Sequence, residues 1–339
     1  MNKKDISIVL QGSFESDNQD QYQFYQENIR LLRELFPDAT IILSTWEGTL
    51  ICPELDIDLV VYNKDPGGLI GIKKCDINKA NNINRQIVST YQGLKHVTTF
   101  YAIKLRTDCY LEHSGFIKYF LEFSRDQDRI LSTSFFTIDP TMYEHMPYHI
   151  SDWFQFGKTE SLIKYWDVPL MTKAESEWYL HNKYAQKSGY FDREFISKFA
   201  VEQYLAINYA KKLGYLVPEY HNDDEKIILN SYYEFLAKEI VIIDPSQAGL
   251  KFPKYSWVYT SVLFSMSCIN FLDWYKNYTD INKVDKDDVI YSHCLARKRK
   301  KLVLRKVITL IEPISNYWYP SLLRKAMFNI AKKIVKIFH

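Results

Sequence analysis

The feature that most narrows the fold is an alternation in the first half of the chain. Short, β-branched apolar runs are separated by stretches with helical periodicity. Residues 6–10 read as a buried strand. Residues 25–36 bring Ile29, Leu32 and Phe36 to one side of a helix that Pro37 stops. Further strands are expected at 40–43, 57–62, 100–105, 130–136 and 153–156. A helix at 82–94 carries Ile83, Ile87 and Leu94 on one face, and another spans 201–211. Strands spaced by helices predict an α/β chain, a Rossmann-type and mostly parallel sheet covered by helices. Such a sheet binds ligands at the carboxyl ends of its strands.

Polar clusters fall at those ends. Gln11-Gly12 follows the first strand and Ser44-Thr45-Trp46-Glu47 the second. Asp65-Pro66-Gly67-Gly68 follows the third and Arg106-Thr107-Asp108 the fourth. The first turn lacks both G-x-G-x-x-G and G-x-x-x-x-G-K-[ST], which disfavours a dinucleotide dehydrogenase and a P-loop kinase. No H-E-x-x-H or G-x-S-x-G is present, so zinc-protease and serine-hydrolase chemistry has no starting point. Cys52, Cys75, Cys109, Cys268 and Cys294 are scattered with no C-x-x-C, the pattern of a reducing compartment.

Asp108 is the sharpest single residue. A carboxylate just past a buried strand, beside a diphosphate, can hold Mg²⁺ or Mn²⁺. The usual Asp-x-Asp is broken here by Tyr110, and the next acid is Glu112. Asp108 therefore works with Glu112 or a distant acid, works without a metal, or caps a loop beside Arg106. Asn81 and Asn82 open a helix whose N-terminus attracts phosphate, with Asn84 and Arg85 in its first turn. In Ser151-Asp152-Trp153-Phe154 a carboxylate sits beside an aromatic platform for a sugar face. Glu202, on the 201–211 helix, and Asp152 are rival candidates for the base that takes a proton from an acceptor hydroxyl. The surplus of aromatics, 26 Tyr and 20 Phe, suits a sugar or nucleotide pocket as well as a thick core.

In their order along the chain, these strings resemble the WavE lipopolysaccharide-synthesis family. The carriers are Ile8-Val9-Leu10-Gln11-Gly12, Leu43-Ser44-Thr45-Trp46-Glu47-Gly48, Asp65-Pro66-Gly67, the Asn82 to Thr90 run, Lys104-Leu105-Arg106-Thr107-Asp108, Ser151 to Gly157, and Glu202-Gln203. They cover residues 5–210. The resemblance implies a GT-A-like transferase moving a sugar from a nucleotide-sugar donor to a lipopolysaccharide, capsule or related glycan. It also implies that Arg106-Thr107-Asp108 occupies the place of the Asp-x-Asp motif. Gln11, Gly12, Thr45, Trp46, Glu47, Asp65, Asn84, Arg85, Arg106, Asp108 and Trp153 are then expected to hold the donor. The reaction displaces a nucleoside diphosphate, or a monophosphate for a sialic-acid-type donor. A transferase of polyol phosphate from a CDP donor and a non-catalytic glycan-assembly scaffold are the alternatives.

The organisation expected is a transferase domain at 1–225, a helical region at 226–296 and a basic tail at 297–339. The tail holds twelve Lys and Arg against one acid, Glu312, while residues 1–296 hold 31 basic against 40 acidic. An acidic body argues against nucleic acid as partner. Within the tail, Leu323, Ala326, Met327, Ile330, Ile334 and Phe338 face away from Arg324, Lys325, Lys332, Lys333 and Lys336. That pattern predicts an amphipathic helix lying on an anionic membrane. The apolar run at the start is too short for a signal-peptide core, and no stretch reaches transmembrane length. The expected location is the cytoplasm, at the inner face of the membrane.

Overall fold

A computed structural model describes residues 3–14, 19–142, 144–189 and 192–317. The strands, in chain order, are β1 (Ile6–Gln11), β2 (Thr40–Trp46), β3 (Leu59–Asn63), β4 (Tyr101–Arg106), β5 (Tyr110–Leu111), β6 (Ile130–Thr133), β7 (Phe154–Lys158), β8 (Ile240–Ile243) and β9 (Leu250–Lys251). Seven of them form one sheet in the order β3-β2-β1-β4-β7-β6-β8. Strands β3, β2, β1 and β4 pair in parallel, as do β6 and β8, whereas β7 runs antiparallel to both its neighbours. The sheet is thus mostly parallel, as the alternation predicts.

Every residue of β1 is buried, and β2 and β4 expose only their ends, as expected of strands covered on both faces. The Ile83–Lys95 helix crosses β1 and β2 so closely that a Cβ on Gly93 would lie 2.6 Å from Val9 Cγ1. Much of the aromatic surplus goes into the core. Phe116, Phe120 and Phe156 pack edge to face, and Phe123 meets Trp274 and Tyr278.

Two expectations about the C-terminal part change. Residues 226–296 are mostly helical, yet they also supply edge strand β8, so the sheet runs across the boundary expected at 225. They supply β9 as well, which pairs with β5 just beyond Asp108. The basic run 297–301, the first part of the expected tail, is docked on the rest of the chain. It lies within a long helix, Asp288–Tyr317, that packs on the Phe271–Asn282 helix. Lys301 is buried and donates to Asp139 and Asp273 at 2.7 Å each, and to the Cys268 carbonyl at 2.9 Å. Arg297 donates to Asp273 at 2.8 Å. Burial works against the charged form of Asp139, but the Lys301 ammonium outweighs it and holds the carboxyl below its ordinary range. The amphipathic segment 320–338 lies outside the described residues.

Removing one partner of a buried ion network leaves the others charged and unpaired. Lys301→Met is expected to lower stability by about 3–5 kcal/mol, read as a shifted midpoint in urea denaturation. A change within experimental error would mean that the helix is only loosely docked.

Candidate functional site

The parallel register decides what meets at the carboxyl edge of the sheet. Gln11 aligns with Ser44 on one side and with Arg106 on the other. Beyond β1 the chain turns at Gly12, whose φ is +133°. A Cβ there would lie 2.9 Å from Thr107 Oγ1, so only glycine lets the two turns approach. Together these ends floor a cavity of about 510 Å³.

Of the residues expected to hold the donor, Gln11, Gly12, Trp46, Asp65, Arg85, Arg106 and Asp108 line it. Thr45, Glu47, Asn84 and Trp153 do not. Thr45 is buried in β2, with its hydroxyl 3.5 Å from that of Thr49. Glu47 is exposed beyond β2, where its backbone N–H bonds the Asn63 carbonyl. The side chain of Asn84 turns inward and makes two bonds to the Met171 backbone, which suits an inner position on its helix. Trp153 is buried rather than open to a sugar. One face is covered by the Arg106 guanidinium, 3.8 Å from the ring centroid, and Phe135 and Tyr255 meet the ring edge to face. Nor does Asn82 cap its helix through its side chain. It accepts from Arg85 Nη1 at 2.8 Å, and Asn81 accepts from the Ile83 amide instead.

Seven residues outside the expected donor-holding set complete the lining: Ser13, Gln21, Tyr25, Asn82, Gln86, Thr107 and Lys254. Gln86 is one helical turn from Asn82 and was within reach of the pattern. Lys254 was not. It arrives because β9 pairs with β5 in the register Tyr110↔Lys251 and Leu111↔Leu250. The chain reaches that pairing through Gly249 at φ +77°, where a Cβ would lie 2.5 Å from the His113 carbonyl oxygen.

Two guanidinium–carboxylate pairs dominate the electrostatics. Arg106 donates to both oxygens of Asp108 at 2.8 and 2.7 Å, and Arg85 to both oxygens of Asp65 at the same distances. Burial raises the Asp108 carboxyl, but the Arg106 hydrogen bonds and charge, with help from Lys254, hold it below its usual range. The Arg85 hydrogen bonds do the same for Asp65. The amide oxygens of Gln11 and Gln86 are buried and have no hydrogen-bond partner among the described residues.

For a divalent ion this donor set is a poor match. The two carboxylates in the cavity are each clasped by an arginine, and a dication at Asp108 would sit against the Arg106 charge. Glu112 does not join Asp108. It turns to Lys251, 3.4 Å away. Among the described residues no three His, Cys, Asp or Glu gather as ligands.

The two expected bases lie behind this cavity, in a buried ionisable cluster. Lys104 is wholly buried on β4, above the Trp166 ring at 4.8 Å, and its ammonium donates to the Asp152 carbonyl. Its nitrogen is 3.9 Å from Asp152 Oδ2. Burial pulls the Lys104 pKa down to about 8, against the pull of Asp152. Asp152 is 1% exposed, and neither of its carboxylate oxygens has a hydrogen-bond partner among the described residues. Glu202, at 17% side-chain exposure, sits 3.6 Å from His149 Nε2. Its pKa is pushed up to about 8, first by burial and then by the Asp152 charge. Burial pushes the His149 pKa down, and its Nδ1–H donates to the Phe136 carbonyl at 2.8 Å, which turns Nε2 toward Glu202. The segment between β6 and β7 that carries His149 and Asp152 includes Phe136 and Tyr148 at φ of +61° and +62°. Bulky side chains in that region cost about 1–3 kcal/mol each, which the surrounding packing must offset.

The raised Glu202 pKa ties stability to pH. Below its ordinary value of 4.5 the group is neutral in both folded and unfolded chains. Between there and about 8 the unfolded chain releases a proton that the folded chain keeps, so this contribution is lost as pH rises. Glu202→Gln cannot ionise. It is expected to match the parent chain at about pH 4 and to be the more stable of the two at about pH 9, as read by melting temperature across the range. Equal melting temperatures throughout would place Glu202 in water.

The sequence profile described as WavE lipopolysaccharide synthesis matches residues 6–307, well past position 210, where the resemblance read from the motifs ends. No curated protein matches. Solved structures are similar at low levels, three of them as follows. An active-site mutant of LgtC is 10% identical with a TM-score of 0.29, over 47% of this chain and 59% of that one. The galactosyltransferase LgtC in complex with donor and acceptor sugar analogs is 10% identical with a TM-score of 0.33, over 70% and 73%. HddC from Yersinia pseudotuberculosis complexed with GMP-PN is 13% identical with a TM-score of 0.29, over 49% and 80%. The chain thus spans less than two thirds of the LgtC mutant, and likenesses this distant carry no weight for activity.

Proposed function

The chain belongs to the WavE lipopolysaccharide synthesis family, and we propose that it is a GT-A-like glycosyltransferase moving a sugar from a nucleotide-sugar donor to a hydroxyl of a surface-glycan acceptor. The observation that carries this is the cavity at the ends of the parallel strands, which joins cations to unsatisfied acceptors. Arg85, Arg106 and Lys254 suit phosphate oxygens. The amide oxygens of Gln11 and Gln86, without a partner among the described residues, call for hydroxyl or base N–H donors. A nucleotide-sugar offers both in one molecule. Cation sites alone would fit any phosphate, and orphaned acceptors alone would fit any sugar.

In the reaction, the bond from the anomeric carbon to the phosphate oxygen breaks and the nucleotide leaves with that electron pair. The acceptor oxygen bonds the anomeric carbon and gives up its proton. Glu202 is the base this reading favours, because it has some exposure and its pKa, pushed up to about 8, suits proton transfer near neutral pH. Asp152 keeps that pKa high by like-charge repulsion, second to burial. A base must be ionised, so turnover is expected to rise with pH toward a midpoint of about 8. Glu202→Gln should still bind donor and lose turnover; a full rate in that variant would assign the base elsewhere.

The donor is found by thermal shift against UDP-, GDP-, CMP- and CDP-linked compounds. The true donor, at about a hundredfold over its dissociation constant, adds about 2.7 kcal/mol of apparent stability. A response to CDP-linked glycerol or ribitol alone would turn the reading to polyol-phosphate transfer. No response to any nucleotide would leave a scaffold.

The basic end of the chain supports work at a membrane surface. No described helix is long and apolar enough to cross a bilayer. The residues at 320–338 alternate apolar and cationic in the pattern of an interfacial helix. The full chain is expected to sediment with anionic vesicles, to release in high salt and to ignore neutral ones. A chain ending at Asn316 should stay in the supernatant. If that shortened chain still sediments, the tail is not the anchor.

A further inference from the structure

We infer that the cavity takes its donor's diphosphate on arginine and lysine alone, with Arg106 and Lys254 supplying the positive charge that a divalent ion would otherwise bring to the leaving group. This rests on the nucleotide-sugar reading and gives the chemistry of the same site.

The geometry of Arg106 points to it first. A guanidinium has five N–H groups. Two of them, on Nε and Nη2, hold Asp108. No partner to Nη1 is found among the described residues, so that edge has donors to spare. The plane is fixed from below by Trp153 at 3.8 Å and from the side by the bidentate carboxylate. A planar fork held on two sides is preorganised for a phosphate, which it can grip through two parallel bonds. Asp108 is then the group that aims Arg106 rather than a ligand to a metal.

The charge balance agrees. Arg85, Arg106 and Lys254 line the cavity against Asp65 and Asp108, an excess of one positive charge before any ligand enters. Lys254 is exposed, carried on the segment after β9 beside Asp108. A metal ion would have to compete with two arginines for both carboxylates. A diphosphate can take the Nη1 edge of Arg106 while Asp108 keeps Nε and Nη2. As the glycosidic bond to phosphate breaks, the oxygen that keeps the electron pair gains negative charge. Arg106 Nη1 and the Lys254 ammonium are the donors available to it, while the acceptor's proton goes to the carboxylate base.

The test is calorimetric titration of the full chain with inorganic pyrophosphate in EDTA, and separately with Mn²⁺ alone. Pyrophosphate is expected to bind in EDTA. Arg106→Ala should weaken that binding about 10- to 100-fold. Lys254→Ala, an exposed change that leaves the core untouched, should weaken it about 2- to 5-fold. Asp108→Asn removes a competing anion, so affinity in EDTA should hold or increase. The inference is overturned if pyrophosphate binds only with Mn²⁺, or if Mn²⁺ alone binds and Asp108→Asn abolishes it. UDP, GDP, CDP and CMP are titrated in the same way. If pyrophosphate binds without metal and no nucleotide competes, the anion site stands and the nucleotide-sugar reading falls. If a nucleotide binds only with Mn²⁺ and Asp108→Asn removes that binding, the reading stands and the inference falls.

Discussion

Strand β1 is buried from end to end and paired in parallel on both sides, and the cavity depends on that register. With Gln11 set opposite Ser44 and Arg106, the turns after three strands open at one level. A slip of one residue between β1 and β4 would send each β4 side chain to the opposite face. Arg106 would leave the cavity, and the wholly buried Lys104 would lose Trp166 beneath it. Burial on both faces makes such a slip costly, because it would set the apolar and polar positions of β4 against the wrong layers. The position of the guanidinium is therefore specified by the hydrophobic core and only refined by Asp108.

The same strand joins the two polar regions. Lys104 and Arg106 are two residues apart on β4 and so share a face. Each has a tryptophan under its cation, Trp166 for the first and Trp153 for the second. Asp152 precedes Trp153 in sequence, and its charge reaches both Arg106 and Glu202. The solvent-open pairs and the buried cluster thus form one electrostatic system. Its two halves differ in water content and hence in strength per charge. Ion pairs at the cavity can exchange partners with a ligand, whereas the charges around Asp152 are fixed by packing.

Local pattern made part of this legible. The strands that feed the cavity, the helix at 83–95 and the polar ends Gln11, Asp65, Arg85, Arg106 and Asp108 all follow from periodicity plus the rule that parallel sheets bind at carboxyl edges. Direction along the edge was harder. Thr45 and Asn84 are polar and lie at the right strand end or helix turn, yet backbone geometry points them inward, where they satisfy neighbours. Trp153 reads as a sugar platform because sequence shows an aromatic and not what covers it. Lys254 and β8 were out of reach for another reason. They join the sheet and site through pairings between positions more than a hundred residues apart, β5 with β9 and β6 with β8. Such pairings leave no short-range trace in the sequence. The docking of the basic run at 297–301 leaves no such trace either, because Asp139 and Asp273, the partners of Lys301, are distant in sequence.

The path of β8 bears on how the chain is made. Synthesis delivers residues 1–225 first, and with them six of the seven strands in the main sheet. Until residues 240–243 emerge, β6 presents a bare hydrogen-bonding edge of four buried residues, the kind of edge that recruits other chains. The long helix that clamps this region through Lys301 leaves the ribosome later still. The nascent protein thus carries an unsealed sheet while the stretch between Thr133 and Ile240 is made. Its cellular yield should be governed by how quickly residues 240–243 follow β6, and by what shields that edge in the interval.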